Sequence, residues 1–139
     1  MKLWLDDVRP CPFIGNWKIA KNYDEAVAIM SSYEIEEAWL DHDLAPEHYE
    51  DKQTEEKTGY DFVLWMLEND KWPKDTCIVH SLNPVGAKRM CDIIAEHFGT
   101  PNPTKHYVPF LQIQSILKGI KDEQSYLDLH GPITHKGFS

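Results

Sequence analysis

Cysteine is scarce in this chain. Cys11, Cys77 and Cys91 are the only three, they lie far apart, and no two form a CxxC pair. An odd, scattered set argues against a disulfide framework or a structural zinc site and fits a reducing compartment. Long apolar runs are missing as well. The first residues pass from Met1 through Lys2-Leu3-Trp4-Leu5 straight into Asp6, without the apolar stretch of a signal peptide, and no segment reaches membrane-spanning length. The expectation is a soluble, cytoplasmic protein with no membrane contact. Cations are in short supply: 14 Lys and Arg stand against 23 Asp and Glu, a formal charge of −9. A groove for long duplex nucleic acid needs clustered cations, so that class of partner is excluded. A small nucleotide or a single RNA end held by a few residues is not. No repeat or low-complexity tract interrupts the sequence.

What is present suits one domain over residues 1–139, a length that buries roughly two-thirds of the unfolded surface. Three short apolar runs stop abruptly on polar groups: Lys2 to Leu5 before Asp6-Asp7, Ala38 to Leu40 before Asp41-His42-Asp43, and Cys77 to Val79 before His80-Ser81. Separated by helical patterns, they read as buried parallel strands of βα units. Asn22, three residues ahead of Glu25, forms a capping-box-like start. Thr58-Gly59 opens a buried helix over residues 60–68. Asn83 before Pro84 caps another, which carries Met90, Ile93, Ile94 and Phe98 and closes at Gly99. Between Arg9 and Asn22 there is no room for a full helix; Pro10, Pro12 and Gly15 make a loop, and Trp17 to Ala20 a short strand. Residues 45–57 read as an exposed polar loop. Tyr107 to Phe110 suits a last strand, and Leu111, Ile113, Ile116, Leu117 and Ile120 a terminal amphipathic helix.

In open parallel sheets, ligands bind outside the carboxyl ends of the strands. Asp6, Asp7, Asp41, His42, Asp43, His80 and Ser81 are therefore expected around one crevice. Crowded carboxylates either take up protons or share a cation. Several Asp oxygens with no thiolate suit Mg²⁺ or Mn²⁺, which offsets charge in phosphate chemistry. His42 and His80 titrate near neutrality, one able to accept a proton and the other to donate it. Arg9 has the fork geometry for phosphate, and Asn83 with the amides opening the next helix forms a second anion-binding element. Simpler readings stand beside these. Strand alternation points Asp41 and Asp43 one way and His42 the other, so the three need not share a role. Ser81 and Asn83 equally suit helix caps, Arg9 a structural ion pair, and His80 a satisfied, half-buried histidine, although its place at a strand end favours the catalytic reading. His48, His97, His106, His130 and His135 read as surface or packing residues, and Trp4, Trp39 and Trp65 as core.

Four motifs, Leu5-Asp6-Asp7-Val8-Arg9-Pro10, Trp39-Leu40-Asp41-His42-Asp43-Leu44, Thr58-Gly59-Tyr60-Asp61 and Val79-His80-Ser81-x-Asn83-Pro84-x-Gly86, together resemble the cyclic-phosphate processing receiver-like domains. These are a divergent branch of the response-regulator receiver superfamily. The resemblance runs from about residue 3 to residue 90 and leaves residues 100–139 without a distinctive motif. It implies an α/β, doubly wound parallel sheet of flavodoxin-like type with a degenerate first helix. It also implies that Asp6 and Asp7 correspond to the receiver's metal-binding acidic pair and Asp41 to its phosphoacceptor position. His42, Asp43, His80 and Ser81 look like additions of this branch. Lys105 precedes the last strand rather than ending it, and His80 stands where a receiver carries a small hydroxyl residue or its neighbour. Both departures weaken a phosphorelay reading.

The expected function is a metal-assisted phosphoesterase acting on 2′,3′-cyclic phosphate ends of RNA or related cyclic nucleotides. Asp6, Asp7 and Asp41 would hold Mg²⁺ or Mn²⁺; Arg9, Ser81 and Asn83 would bind substrate. His42 and His80 would divide base and acid roles, with Asp43 orienting an imidazole. The alternative is a non-enzymatic module that binds or sequesters a cyclic nucleotide or a protein.

Overall fold

The computed structural model describes residues 1–44, 57–109, 112, 113 and 115. Among these residues the main elements are, in order, β1 (Lys2–Leu5), β2 (Trp17–Ala20), α1 (Tyr23–Ser32), β3 (Glu37–Leu40), α2 (Gly59–Asn69), β4 (Thr76–Val79) and α3 (Pro84–Phe98). All strand pairs are parallel, in the order β2-β1-β3-β4. That is the flavodoxin-like order, with its switch point between β1 and β3.

Side chains along each strand alternate between two faces. Leu3, Leu5, Ala38, Leu40, Cys77 and Val79 meet Ala26 and Met30 of α1, Phe62, Val63 and Met66 of α2, and Met90 and Ile94 of α3. Trp4, Trp39 and Ile78 point the other way and are covered by Phe13, Val108 and Ile113. The β1–β2 crossover over residues 6–16 contains no helix, as the shortage of residues predicts. Phe13 takes over the covering, 5.9 Å from the Trp4 ring and 4.6 Å from that of Trp39.

The helix starts match their chemistry. The Asn22 side chain accepts from the Glu25 amide at 2.8 Å, and Glu25 accepts in return from the Lys21 amide. Thr58 and Asp61 form a reciprocal capping box on α2, and Asn83 caps α3 ahead of Pro84. Gly99, at φ +67°, closes α3 in the left-handed conformation that glycine adopts without strain.

The expected last strand is reduced in its described part to a single parallel bridge between Tyr107 and Val79, preceded by a 3₁₀ turn at Pro103–His106. Pro109 follows closely and has no amide to continue a ladder. Of the expected terminal helix, Ile113 is described and fully buried; Phe110, Leu111, Ile116, Leu117, Ile120 and the tail from Tyr126 lie outside the described residues, as do positions 45–56 of the expected loop. Among the described residues no helix is long and apolar enough to cross a membrane.

Candidate active site at the strand ends

Register brings distant residues together here. Leu5 pairs with Leu40, and Leu40 with Val79. The ladder then runs one residue further, for the Asp41 amide donates to the Leu5 carbonyl and the His80 amide to the Leu40 carbonyl, each at 2.9 Å. Asp6, Asp41 and His80 are thus neighbours in one row at the carboxyl edge. Two residues behind them stand Trp4, Trp39 and Ile78, so all three begin on the Trp-lined face.

The carboxylates are held in different electrostatic states. Asp6 Oδ1 accepts the amides of Val8 (3.0 Å) and Arg9 (2.9 Å), and Oδ2 lies 3.1 Å from His80 Nε2. Burial opposes its charge, but these donors prevail and hold its carboxyl below the ordinary value. Asp41 fares differently. Burial, and then the Asp6 charge beside it, pushes it up to about 7. Arg9 bridges the pair, with Nη1 3.5 Å from Asp6 Oδ2 and 3.7 Å from Asp41 Oδ2.

Asp7 is half-buried beside them. One carboxylate oxygen each from Asp6, Asp7 and Asp41 lies within 4.8 Å of the others. Asp41 Oδ2 is buried and has no hydrogen-bond partner among the described residues. An undonated buried oxygen within a set of three carboxylates is the ligand chemistry of a hard divalent cation, and these residues fit one.

Beyond Leu40 the chain turns. His42 donates its amide to Asp41 Oδ1 at 2.8 Å, and the His42 carbonyl accepts from the Gly59 amide at 2.8 Å. Extended alternation therefore ends, and Asp43 joins His42 instead of Asp41: Asp43 Oδ1 is 2.8 Å from His42 Nδ1. A carboxylate can only accept, so Nδ1 carries the proton, and in the neutral tautomer Nε2 is the nitrogen with the lone pair. Nε2 has no hydrogen-bond partner among the described residues.

Two glycines of the recognised motifs now acquire a physical role. A Cβ at Gly59 would overlap the Asp41 carbonyl, and one at Gly86 would lie 2.6 Å from His42 Cγ and Nε2. The open faces of α2 and α3 thereby seat the 41–43 turn. Their place in the motifs was visible in sequence, but the contact that demands glycine was not.

His80 and Ser81 are both closed off from solvent. The His80 ring is 0% exposed, and it stacks on the Trp4 indole with centroids 4.2 Å apart and planes at 6°. Burial lowers its affinity for a proton despite the neighbouring Asp6 charge. Ser81 is fully buried and its hydroxyl accepts the Asn83 amide at 2.9 Å. Asn83 is half-buried and caps α3 through the Gly86 amide at 3.0 Å, with its Nδ2 3.5 Å from His42 Nδ1. The cap reading therefore accounts for the Asn83 oxygen, while Ser81 holds the amide of that cap residue and does not cap the helix itself. His97 stacks on Trp72, and His106 bonds the Cys77 carbonyl and Thr100; both are packing residues, as expected. His48, His130 and His135 lie outside the described residues.

A 2-1-3-4 parallel sheet with an acidic cluster at its carboxyl edge defines a receiver-like α/β domain. The model of the cyclic-phosphate processing receiver domain family matches residues 1–96 of the 139, and the chain belongs to that family. No curated protein and no solved structure matches it.

Proposed function

We propose that the domain is a phosphoesterase that opens cyclic phosphates, 2′,3′-cyclic ends of RNA or related nucleotides, with the help of a divalent cation. The observation that carries this reading is the His42–Asp43 contact of 2.8 Å beside the Asp6, Asp7 and Asp41 cluster. Mg²⁺ or Mn²⁺ bound by those three carboxylates supplies positive charge for the phosphate oxygens. Arg9, bridging Asp6 and Asp41, is within side-chain reach of a phosphate at the same place and offers a fork of donors. The amide end of α3 at Asn83 supplies a second favourable dipole for an anion.

His42 is the base. Asp43 fixes its Nδ1–H tautomer, so Nε2 can take a proton from water as the oxygen bonds to phosphorus. One ribose P–O bond breaks, and the departing ribose oxygen is protonated from solvent, giving a phosphate monoester. His80 does not share this chemistry by touching substrate, because its ring is sealed beneath the site. The acidic balance of the chain suits a small substrate held by few residues over a long polyanion.

The test is turnover of 2′,3′-cyclic AMP by purified protein with Mg²⁺ or Mn²⁺, alongside His42→Ala and Asp41→Ala. Hydrolysis by the wild type that collapses in both variants supports the assignment. Equal rates in all three remove it. Tight binding with the nucleotide recovered intact turns the reading toward a sequestering module.

A further inference from the structure

Trp4 and His80 are fully buried, yet both are wired to Asp6. His80 Nε2 lies 3.1 Å from Asp6 Oδ2, while its Nδ1 is buried with no hydrogen-bond partner among the described residues. Only one tautomer suits these facts. Nε2 must carry the proton that meets the carboxylate, and a proton on Nδ1 would be a buried donor with no acceptor. The ring is held at this angle by its near-parallel stack on Trp4, 4.2 Å between centroids.

The same indole acts on the opposite side of Asp6. Trp4 Nε1 donates to the Arg9 carbonyl at 2.8 Å, pinning the loop whose Val8 and Arg9 amides donate to Asp6 Oδ1. Trp4 is itself wedged against Phe13, Trp17 and Trp39, with ring centroids 5.9, 6.5 and 6.4 Å away. One rigid ring thus braces a donor to each Asp6 oxygen, the His80 N–H by its face and the Arg9 loop by its edge.

We propose that Trp4 and His80 are positioning residues which together lock the Asp6 carboxylate in place, His80 by donating Nε2–H and Trp4 by fixing both His80 and the Arg9 loop. The consequence for cation binding rests on the cluster reading given above; the lock itself does not. A core histidine present only for volume would be replaceable by any ring of its size. A positioning histidine is replaceable only by a group that still donates.

Long-range ¹H–¹⁵N spectra of the wild type and Trp4→Phe test the lock, and Mn²⁺ calorimetry tests its consequence. The wild type should show His80 as the Nε2–H tautomer with a slowly exchanging proton, and Trp4→Phe should speed that exchange about tenfold or more. His80→Phe keeps the stack but not the donor and should weaken Mn²⁺ binding roughly 10–100-fold, the range for removing a group that orients a ligand. His80→Gln, which retains an N–H, should recover most of it. Thermal unfolding of each variant identifies any that misfold, and the spectra of Trp4→Phe decide the matter if His80→Phe does. An Nδ1–H tautomer, unchanged exchange in Trp4→Phe, or wild-type Mn²⁺ affinity in His80→Phe overturns the proposal. A wild type with the slow Nε2–H proton but no Mn²⁺ binding supports the lock and overturns the cation reading.

Discussion

Gly86 is the floor on which the His42 ring lies: an added Cβ there would come within 2.6 Å of Cγ and Nε2. A first-turn residue of α3 thereby sets the position of a side chain that follows β3. Gly86→Ala should displace the ring and cut kcat on cyclic nucleotide at least tenfold, with a much smaller change in KM. Gly59→Ala meets the Asp41 carbonyl, a backbone atom that cannot step aside, and should instead cost stability of about 3 kcal/mol, as overpacking does. Steady-state kinetics and chemical denaturation on the two variants separate these effects.

Asp43→Asn preserves size but gives His42 Nδ1 an amide that can donate. The imidazole can then adopt the opposite tautomer, with the proton on Nε2 where the lone pair is needed. The expected loss in kcat is roughly 10²–10⁴-fold. Long-range ¹H–¹⁵N spectra should show the tautomer change; full activity in the variant would contradict the assigned base.

Cation binding should depend on pH through Asp41. Its carboxyl sits at about 7 in the folded chain against an ordinary 3.8. Above 7 it is ionised and open to a cation; below 7 a proton competes, and affinity should fall about tenfold per pH unit. The same raised value favours the cation-free fold fully below 3.8, and that contribution is lost as pH rises through 7. The rise in Tm caused by Mg²⁺ should therefore be larger at pH 8 than at pH 6. A Mg²⁺ effect independent of pH would count against Asp41 as a ligand.

Ile113 is fully buried with Trp4, Trp39 and Ile78. Ile113→Ala should cost about 2–5 kcal/mol in urea unfolding. A loss below half a kcal/mol would mean that the Trp-lined face is not closed by this residue.

Much of this arrangement could be read from the chain alone, for reasons that are local. Asn22, Thr58 and Asn83 announce their helices because capping depends on a side chain and an amide only two or three residues away. Three strands that stop on polar groups already imply a shared edge, and Asp6, Asp41 and His80 do fall in one row. The turn after Leu40 was less legible. Strand alternation put Asp43 with Asp41, but the His42 amide bond to Asp41 and the Gly59 amide bond to the His42 carbonyl bend the chain and give Asp43 to His42. For His80 a satisfied, half-buried histidine was the lesser of two readings, because a strand end favours the catalytic one. Whether a strand-end histidine opens to solvent depends on what lies across it, and the Trp4 indole comes from a strand 76 residues earlier in the sequence.

The most direct test of cyclic-phosphate opening is a ³¹P NMR time course of 2′,3′-cyclic AMP with the protein and Mg²⁺ at pH 8. The cyclic resonance should decay into a monoester signal, and His42→Ala should abolish the change. A spectrum that stays cyclic through prolonged incubation with folded, Mg²⁺-loaded protein contradicts it.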